Sequence, residues 1–167
     1  MIGFFVGRFQ PFHDAHLQII KDAVKQVDKL IIGVGSSQYS NTAENPFSFD
    51  ERKEMIGLAL EEEGIPKKKY EVVAIPDIHR HEDWVKHVES LCPKFDVIFT
   101  KNSLTKKLFE KENYKVIVVP RIAGHSGTDI RERIYNDDDW DFLVPKAVYD
   151  YLNKIDASER IRKIYGA

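Results

Sequence analysis

Two segments of the 167-residue sequence gather residues suited to handling phosphate. The first, GRFQPFHDAHLQII at 7–20, opens directly behind a short apolar run and leads into an amphipathic stretch. Gly7 lets backbone come close to a ligand, and Arg8 and Gln10 add polar groups. His13 and His16 stand three apart, on one side of a helix start. A helix N-terminus attracts phosphate through its free N–H groups and its dipole. Two imidazoles placed there would donate hydrogen bonds to phosphoryl oxygens as negative charge shifts in a transfer reaction. The second segment, GHSGTDIRER at 124–133, follows the last apolar run and starts another helix. Ser126, Gly127 and Thr128 put small or hydroxylated residues over exposed backbone N–H groups, and Arg131, one turn in, leans back toward an anion at the same terminus.

Each segment alone has a plainer reading: one capping and one packed histidine in the first, a helix cap of Ser126 and Asp129 in the second. That cap does not account for Arg131, and the two segments together describe two phosphate-facing helix starts on one rim. Histidines at this spacing could also share a metal ion, which would need a third ligand. His79 and His81 are the candidates, but nothing fixes their loop near the first helix, so no protein-built metal site is expected.

The elements that must position these residues follow from alternation. Apolar runs at 2–6, 30–34, 70–75, 95–99 and 114–119 read as buried strands, with amphipathic stretches between them. Leu17, Ile20, Val24 and Val27 fall at helical spacing. Ser48 and Glu51 form a capping box ahead of Met55, Ile56, Leu58, Ala59 and Leu60, and Gly64 with Pro66 stops that helix. Further helices are expected at about 81–91, 103–112, from Ser126 onward, and from Pro145 through Leu152, with Ser158 capping a short basic tail helix. Strands separated by crossover helices predict an α/β fold, a Rossmann-like, doubly wound, five-stranded parallel sheet with helices on both faces. Ligands on such sheets bind past the carboxyl ends of the strands, where both segments lie.

Composition narrows the function. At this length the chain is expected to form a single domain over 1–167, with the helices of about 145–165 packed on it. Twenty-five basic against 27 acidic residues leave a net charge of −2, which makes no bulk case for nucleic acid or an anionic membrane as partner. Cys92 is the only cysteine, so an intrachain disulfide is impossible; before Pro93 it reads as a small packed residue. The N-terminus is apolar for only a few residues and has no basic n-region, so neither a signal peptide nor a membrane span is expected, and a cytoplasmic location fits.

GRFQPFHDAH resembles the (H/T)-x-G-H signature of nucleotidyltransferases, and SGTDIR resembles their second signature, S-x-T-x-x-R. GRFQPFH, GSSQ at 35–38, NPF followed by ER at 45–52, PKFD at 93–96, SGTDIR and LVPKAV at 143–148 are together most similar to the archaeal type of nicotinamide-nucleotide adenylyltransferase, over almost the whole chain. Departures are Ala15 for the signature glycine, SFDER for the usual TAGER, Asn41 where histidine is common, and TKNSL for SGNPL, which puts Lys101 in place of glycine.

The resemblance implies transfer of the adenylyl group of ATP to the 5′-phosphate of nicotinamide mononucleotide (NMN), with nicotinate mononucleotide as a second acceptor to test. It implies that His13, His16 and Arg131 are catalytic, with His16 nearest the α-phosphoryl group. Gly7, Arg8, Phe9, Gln10, Ser126, Thr128 and Arg131 would bind ATP, Asn102 would reach its ribose, and Mg²⁺ would bridge its phosphates through substrate oxygens and water. Asp77, Ile78 and Trp84 would form the mononucleotide site, Trp84 stacking on the pyridine ring, and Arg52 would contact the mononucleotide phosphate. Trp84 with Val85 and Val88 also makes a buried face, and Arg52 also suits a surface salt bridge. The resemblance implies a homo-oligomer as well, with a hexamer as the expected form. The rivals are a relative using phosphopantetheine, flavin mononucleotide or glycerol phosphate as acceptor, and a nucleotide-binding regulator without turnover.

Overall fold

The structure is a computed structural model, and it describes residues 1–120 and 126–167. Its strands are β1 (Ile2–Gly7), β2 (Lys29–Gly35), β3 (Tyr70–Ile75), β4 (Val97–Thr100) and β5 (Lys115–Val118). Its helices are α1 (Asp14–Val24), α2 (Phe49–Glu62), α3 (Trp84–Leu91), α4 (Ser103–Lys111), α5 (Gly127–Tyr135), α6 (Lys146–Lys154) and α7 (Ala157–Tyr165). The strands form one parallel sheet in the order β3-β2-β1-β4-β5, with Phe4 opposite both Ile31 and Ile98.

Because side chains alternate across a strand, neighbouring residues feed two cores. Phe5, Ile32 and Phe99 point to the face covered by α1, α2, α5, α6 and α7, where Ile20, Ile56, Ile130, Leu152 and Ile161 are buried. Phe4, Ile31 and Ile98 point to the other face, against Val85 and Val88 of α3 and Phe109 of α4. The expected doubly wound sheet is therefore present. Chain order reverses between β1 and β4, so the crevice for a ligand opens past their carboxyl ends.

Local signals set most element ends. The Ser48 hydroxyl accepts from the Glu51 amide, and the Glu51 carboxylate accepts from the Ser48 amide. At the other end of α2, Gly64 takes φ +75 and the Ile65 amide returns to the Leu60 carbonyl. Ends differ from expectation where packing outside a strand or helix mimics its pattern. Phe95 precedes β4, yet it is buried and stacks on Phe4 with ring centroids 5.0 Å apart. Val27 is likewise buried beyond the end of α1. Residues 81–83 form a 3₁₀ turn ahead of α3. Asp156, at φ +54, occupies the N-cap position of α7 without a side-chain capping bond, and Ser158, expected there, lies in the first turn. Among the described residues no helix is long and apolar enough to cross a membrane.

Candidate active site

The loop from β1 into α1 is built on rings. Phe9 takes φ +55, a left-handed conformation that a bulky residue adopts only when its surroundings impose it. Here they do: its ring is 1% exposed, edge-on to Phe5, stacked on Phe12 and 4.6 Å from the His16 ring. His13 and His16 are both buried, and their rings stack at 3.7 Å. The His16 Nδ1 accepts from the His13 amide at 3.2 Å. A neutral imidazole that accepts at Nδ1 carries its proton at Nε2, so His16 is set up as a donor.

Burial, with the charges of His13 and Lys101 adding to it, holds the His16 imidazole well below its ordinary value of 6.5. The unfolded chain takes up this proton near pH 6.5 and the folded chain does not. The His16 contribution is therefore complete above pH 6.5 and is lost as pH falls through the window below it. Urea unfolding of the protein and of His16→Asn at pH 7.5, 6.5 and 5.5 is expected to show the parent's advantage shrinking with acidification. An advantage that grew would contradict the lowered value.

The second helix start stands opposite. The Ser126 hydroxyl caps α5 by accepting from the Asp129 amide, as its spacing predicted. Arg131 is 4% exposed and donates from Nη1 to the Gln10 carbonyl at 2.7 Å, from Nη2 to the Thr128 hydroxyl at 3.3 Å and from Nε to the Tyr165 hydroxyl at 3.0 Å. One N–H on each terminal nitrogen is left for an anion among the described residues. Gly127 has to be small: a Cβ there would lie 2.9 Å from the Gln10 carbonyl oxygen and 3.0 Å from Arg131 Nη1. Gly124 and His125, which open this segment in sequence, lie outside the described residues.

Both helix starts face a cavity of about 460 Å³. Gly7, Arg8, Phe9, Gln10, His13, His16, Asp77, Trp84, Asn102, Ser126, Thr128 and Arg131 all line it. An adjoining hollow of about 400 Å³ shares Asp77, Trp84 and Asn102 and adds Ile78, His79 and His81. Asn102 caps α4 through its Oδ1, which accepts from the Thr105 amide, so its side-chain N–H groups are its donors toward a ligand. Asp77 is held from two sides: its carboxylate accepts from the Ser36 hydroxyl at 2.8 Å, and the Gln38 carboxamide bonds both its N–H and its C=O. Among the described residues no group of three or more histidines, cysteines or carboxylates could hold a metal ion. Burial pushes the Cys92 thiol up to about 11, and Cys92 does not line this cavity.

Two residues read as ligands spend their side-chain hydrogen bonds on the fold, Gln10 while lining the cavity as expected and Arg52 outside it. Gln10 is 3% exposed; its carboxamide donates to the Phe47 carbonyl at 3.0 Å and accepts from the Phe47 amide at 2.9 Å, so it shapes the wall instead of reaching in. Arg52 is the larger correction. It is fully buried, and its Nε donates to the Ser48 carbonyl, its Nη1 to those of Arg8 and Gly35, and its Nη2 to those of Ser36 and Tyr39. A guanidinium has five N–H groups, and these five bonds use them all, so none reaches a mononucleotide phosphate. Conversely, Ser36, Thr100, Lys101 and Thr105 line the cavity without having been singled out as ligands. Ser36, Thr100 and Lys101 stand at or just past the ends of β2 and β4, and Thr105 lies in the first turn of α4; that placement, and for Ser36 the GSSQ segment, is the signal that points to them.

The parallel sheet brings two helix starts to one cavity at its chain reversal, and the family model described as Cytidylyltransferase-like matches residues 4–133. The nicotinamide-nucleotide adenylyltransferases of Thermococcus sibiricus and Pyrococcus furiosus are each 47% identical, over 98% and 97% of this chain and 89% and 88% of theirs. That of Thermoplasma volcanium is 42% identical over 96% of this chain and 90% of its own. The chain belongs to the cytidylyltransferase-like family, among the nicotinamide-nucleotide adenylyltransferases. A solved bifunctional NMN adenylyltransferase/ADP ribose pyrophosphatase from Francisella tularensis, complexed with AMP and a manganese ion, matches with a TM-score of 0.83 at 27% identity. The match covers 98% of this chain and 51% of that one, so this chain spans about half of the bifunctional protein.

Proposed function

We propose that this chain transfers the adenylyl group of ATP to the 5′-phosphate of NMN, giving NAD and pyrophosphate. The observation that carries this reading is the cavity itself: the stacked His13–His16 pair at one helix start and Arg131 at the other face a single space that continues past Trp84 into a second hollow. The first space suits ATP and the second the mononucleotide, with the cationic pyridinium against the Trp84 indole.

A phosphate monoester is already anionic at neutral pH, so the reaction needs no general base. A mononucleotide oxygen attacks the α-phosphorus of ATP, the bond from that phosphorus to the oxygen bridging to the β-phosphate breaks, and pyrophosphate leaves with the electron pair. The chain's task is alignment and charge stabilisation. The Nε2 proton of His16 bonds an α-phosphoryl oxygen as charge moves, while Arg131, Arg8 and the hydroxyls of Ser126 and Thr128 hold the β- and γ-phosphates. Phe9 stiffens the loop beneath them.

A divalent cation, which we take to be Mg²⁺, fits this donor set as a substrate-borne ion. The only carboxylate on the cavity wall among the described residues is Asp77, and it already accepts from Ser36, so phosphate oxygens and water would be the principal ligands. Such an ion neutralises phosphate charge. We further propose that residues 1–167 act as one domain and that the protein self-associates, which light scattering would test.

Pyrophosphate release from ATP and Mg²⁺ should be measured in parallel with NMN, nicotinate mononucleotide, phosphopantetheine, flavin mononucleotide and glycerol 3-phosphate. Release with NMN, abolished by a chelator and restored by Mg²⁺, is the expected outcome. Release only with a non-pyridine acceptor would leave the chemistry and remove the role of Trp84. ATP binding without release to any acceptor would mean a regulator.

A further inference from the structure

We infer that Tyr165, the last residue of α7, is a positioning residue for adenylyl transfer that acts through Arg131. This inference rests on the reading of Arg131 as a ligand of the ATP phosphates. The Tyr165 hydroxyl accepts from Arg131 Nε at 3.0 Å and donates its own proton to the Ala43 carbonyl at 3.1 Å. A phenol has one proton, so donation to Ala43 turns a lone pair toward Arg131 and fixes the direction of the bond.

The geometry explains why such a brace matters. Arg131 is held at each of its three nitrogens: by Gln10 from the β1–α1 loop, by Thr128 from its own helix, and by Tyr165. Three bonds on three nitrogens fix the guanidinium plane and, among the described residues, leave one N–H on each terminal nitrogen for phosphate oxygens. Without the Nε bond the plane can rotate about the other two.

The brace is itself anchored. Arg160, five residues earlier in α7, forms a bidentate pair with Glu51 at 2.6 and 2.7 Å and donates to the Pro46 carbonyl, while Ala157 and Ile161 are buried in the main core. The Tyr165 ring packs against Tyr135 of α5 at 5.5 Å. The C-terminal helix thus joins segment 43–47 to the helix that carries Arg131, although it contributes nothing to the cavity wall.

The test is Tyr165→Phe, Arg131→Ala and the double variant in the full chain, with kcat and KM for each substrate and Tm for each protein. Phenylalanine keeps the ring packing on Tyr135 and removes only the hydroxyl. The expected result for Tyr165→Phe is a roughly tenfold lower kcat/KM for ATP, an unchanged KM for NMN and a Tm close to the parent's. In the Arg131→Ala background the same change is expected to be silent, because its target is gone. Unchanged ATP kinetics in Tyr165→Phe, or an equal fractional loss with and without Arg131, would overturn the proposal. A loss shared by both substrates and accompanied by a fall in Tm would mean a purely structural role and overturn it too. If Arg131→Ala itself leaves ATP kinetics intact, the reading of Arg131 fails, and the positioning role falls with it.

Discussion

Replacing His16 with alanine is expected to lower kcat by about 10²–10³-fold while the dissociation constant of ATP changes only a few-fold. That range is what one preorganised donor to developing charge contributes. The asymmetry follows from when the bond matters: a donor aimed at the α-phosphoryl oxygen strengthens as negative charge shifts there, so its removal is felt in the transition state more than in the ground state. The ring is well prepared for this task. Stacking on His13, contact with Phe9 and the Nδ1 bond to the His13 amide fix its plane and tautomer before substrate arrives. Steady-state kinetics and a calorimetric ATP titration on His16→Ala and His16→Asn check the point. Equal losses in turnover and binding would instead make His16 a ground-state ligand.

Arg52→Met is expected to cost about 3 kcal/mol or more of stability in urea unfolding, as loss of a buried hydrogen-bond network does, a large share of what a domain of this size holds. The change leaves five carbonyls, those of Ser48, Arg8, Gly35, Ser36 and Tyr39, without their common donor. Burial, with the Arg8 charge adding to it, pushes the Arg52 guanidinium down only to about 10, so it stays charged at neutral pH. Arg52→Lys should rescue little, because an ammonium brings three donors in place of a planar five. A phosphate ligand would behave differently: lysine would largely retain stability, and the change would fall on KM for NMN. A stable Arg52→Lys with a raised KM would restore the ligand reading.

Much of the frame is legible in short-range pattern. Strand alternation, the Ser48–Glu51 box, the Gly64 stop and the Ser126 cap each lie within a few residues, and each is where its spacing puts it. The residues facing the cavity were legible for a similar reason, since they follow directly on strands. What stayed hidden is whether a polar side chain spends its hydrogen bonds on ligand or on protein. Arg52 and Arg131 look alike in sequence, each one turn into a helix behind a serine cap. Arg52 has every N–H used by backbone, while Arg131 keeps two among the described residues, and only distant partners such as Arg8, Gln10 and Tyr165 decide that. The Arg160–Glu51 pair, separated by 109 residues, has no local signature at all.

Gln10 and Gln38 each present a donor and an acceptor to both backbone groups of one residue, Phe47 and Asp77 respectively. A carboxamide used in this way is a spare peptide unit: it supplies what the next strand would supply, at a place where there is none. The β2–β3 ladder ends at the pair Gly35–Ile75, and Gln38 adds one more rung beyond it. Loops sutured by such rungs gain some of the stiffness of a sheet while staying irregular enough to surround a nucleotide. The same device ties their integrity to amide chemistry, because deamidation to glutamate deletes the donor half of a rung and sets a negative charge against a carbonyl oxygen.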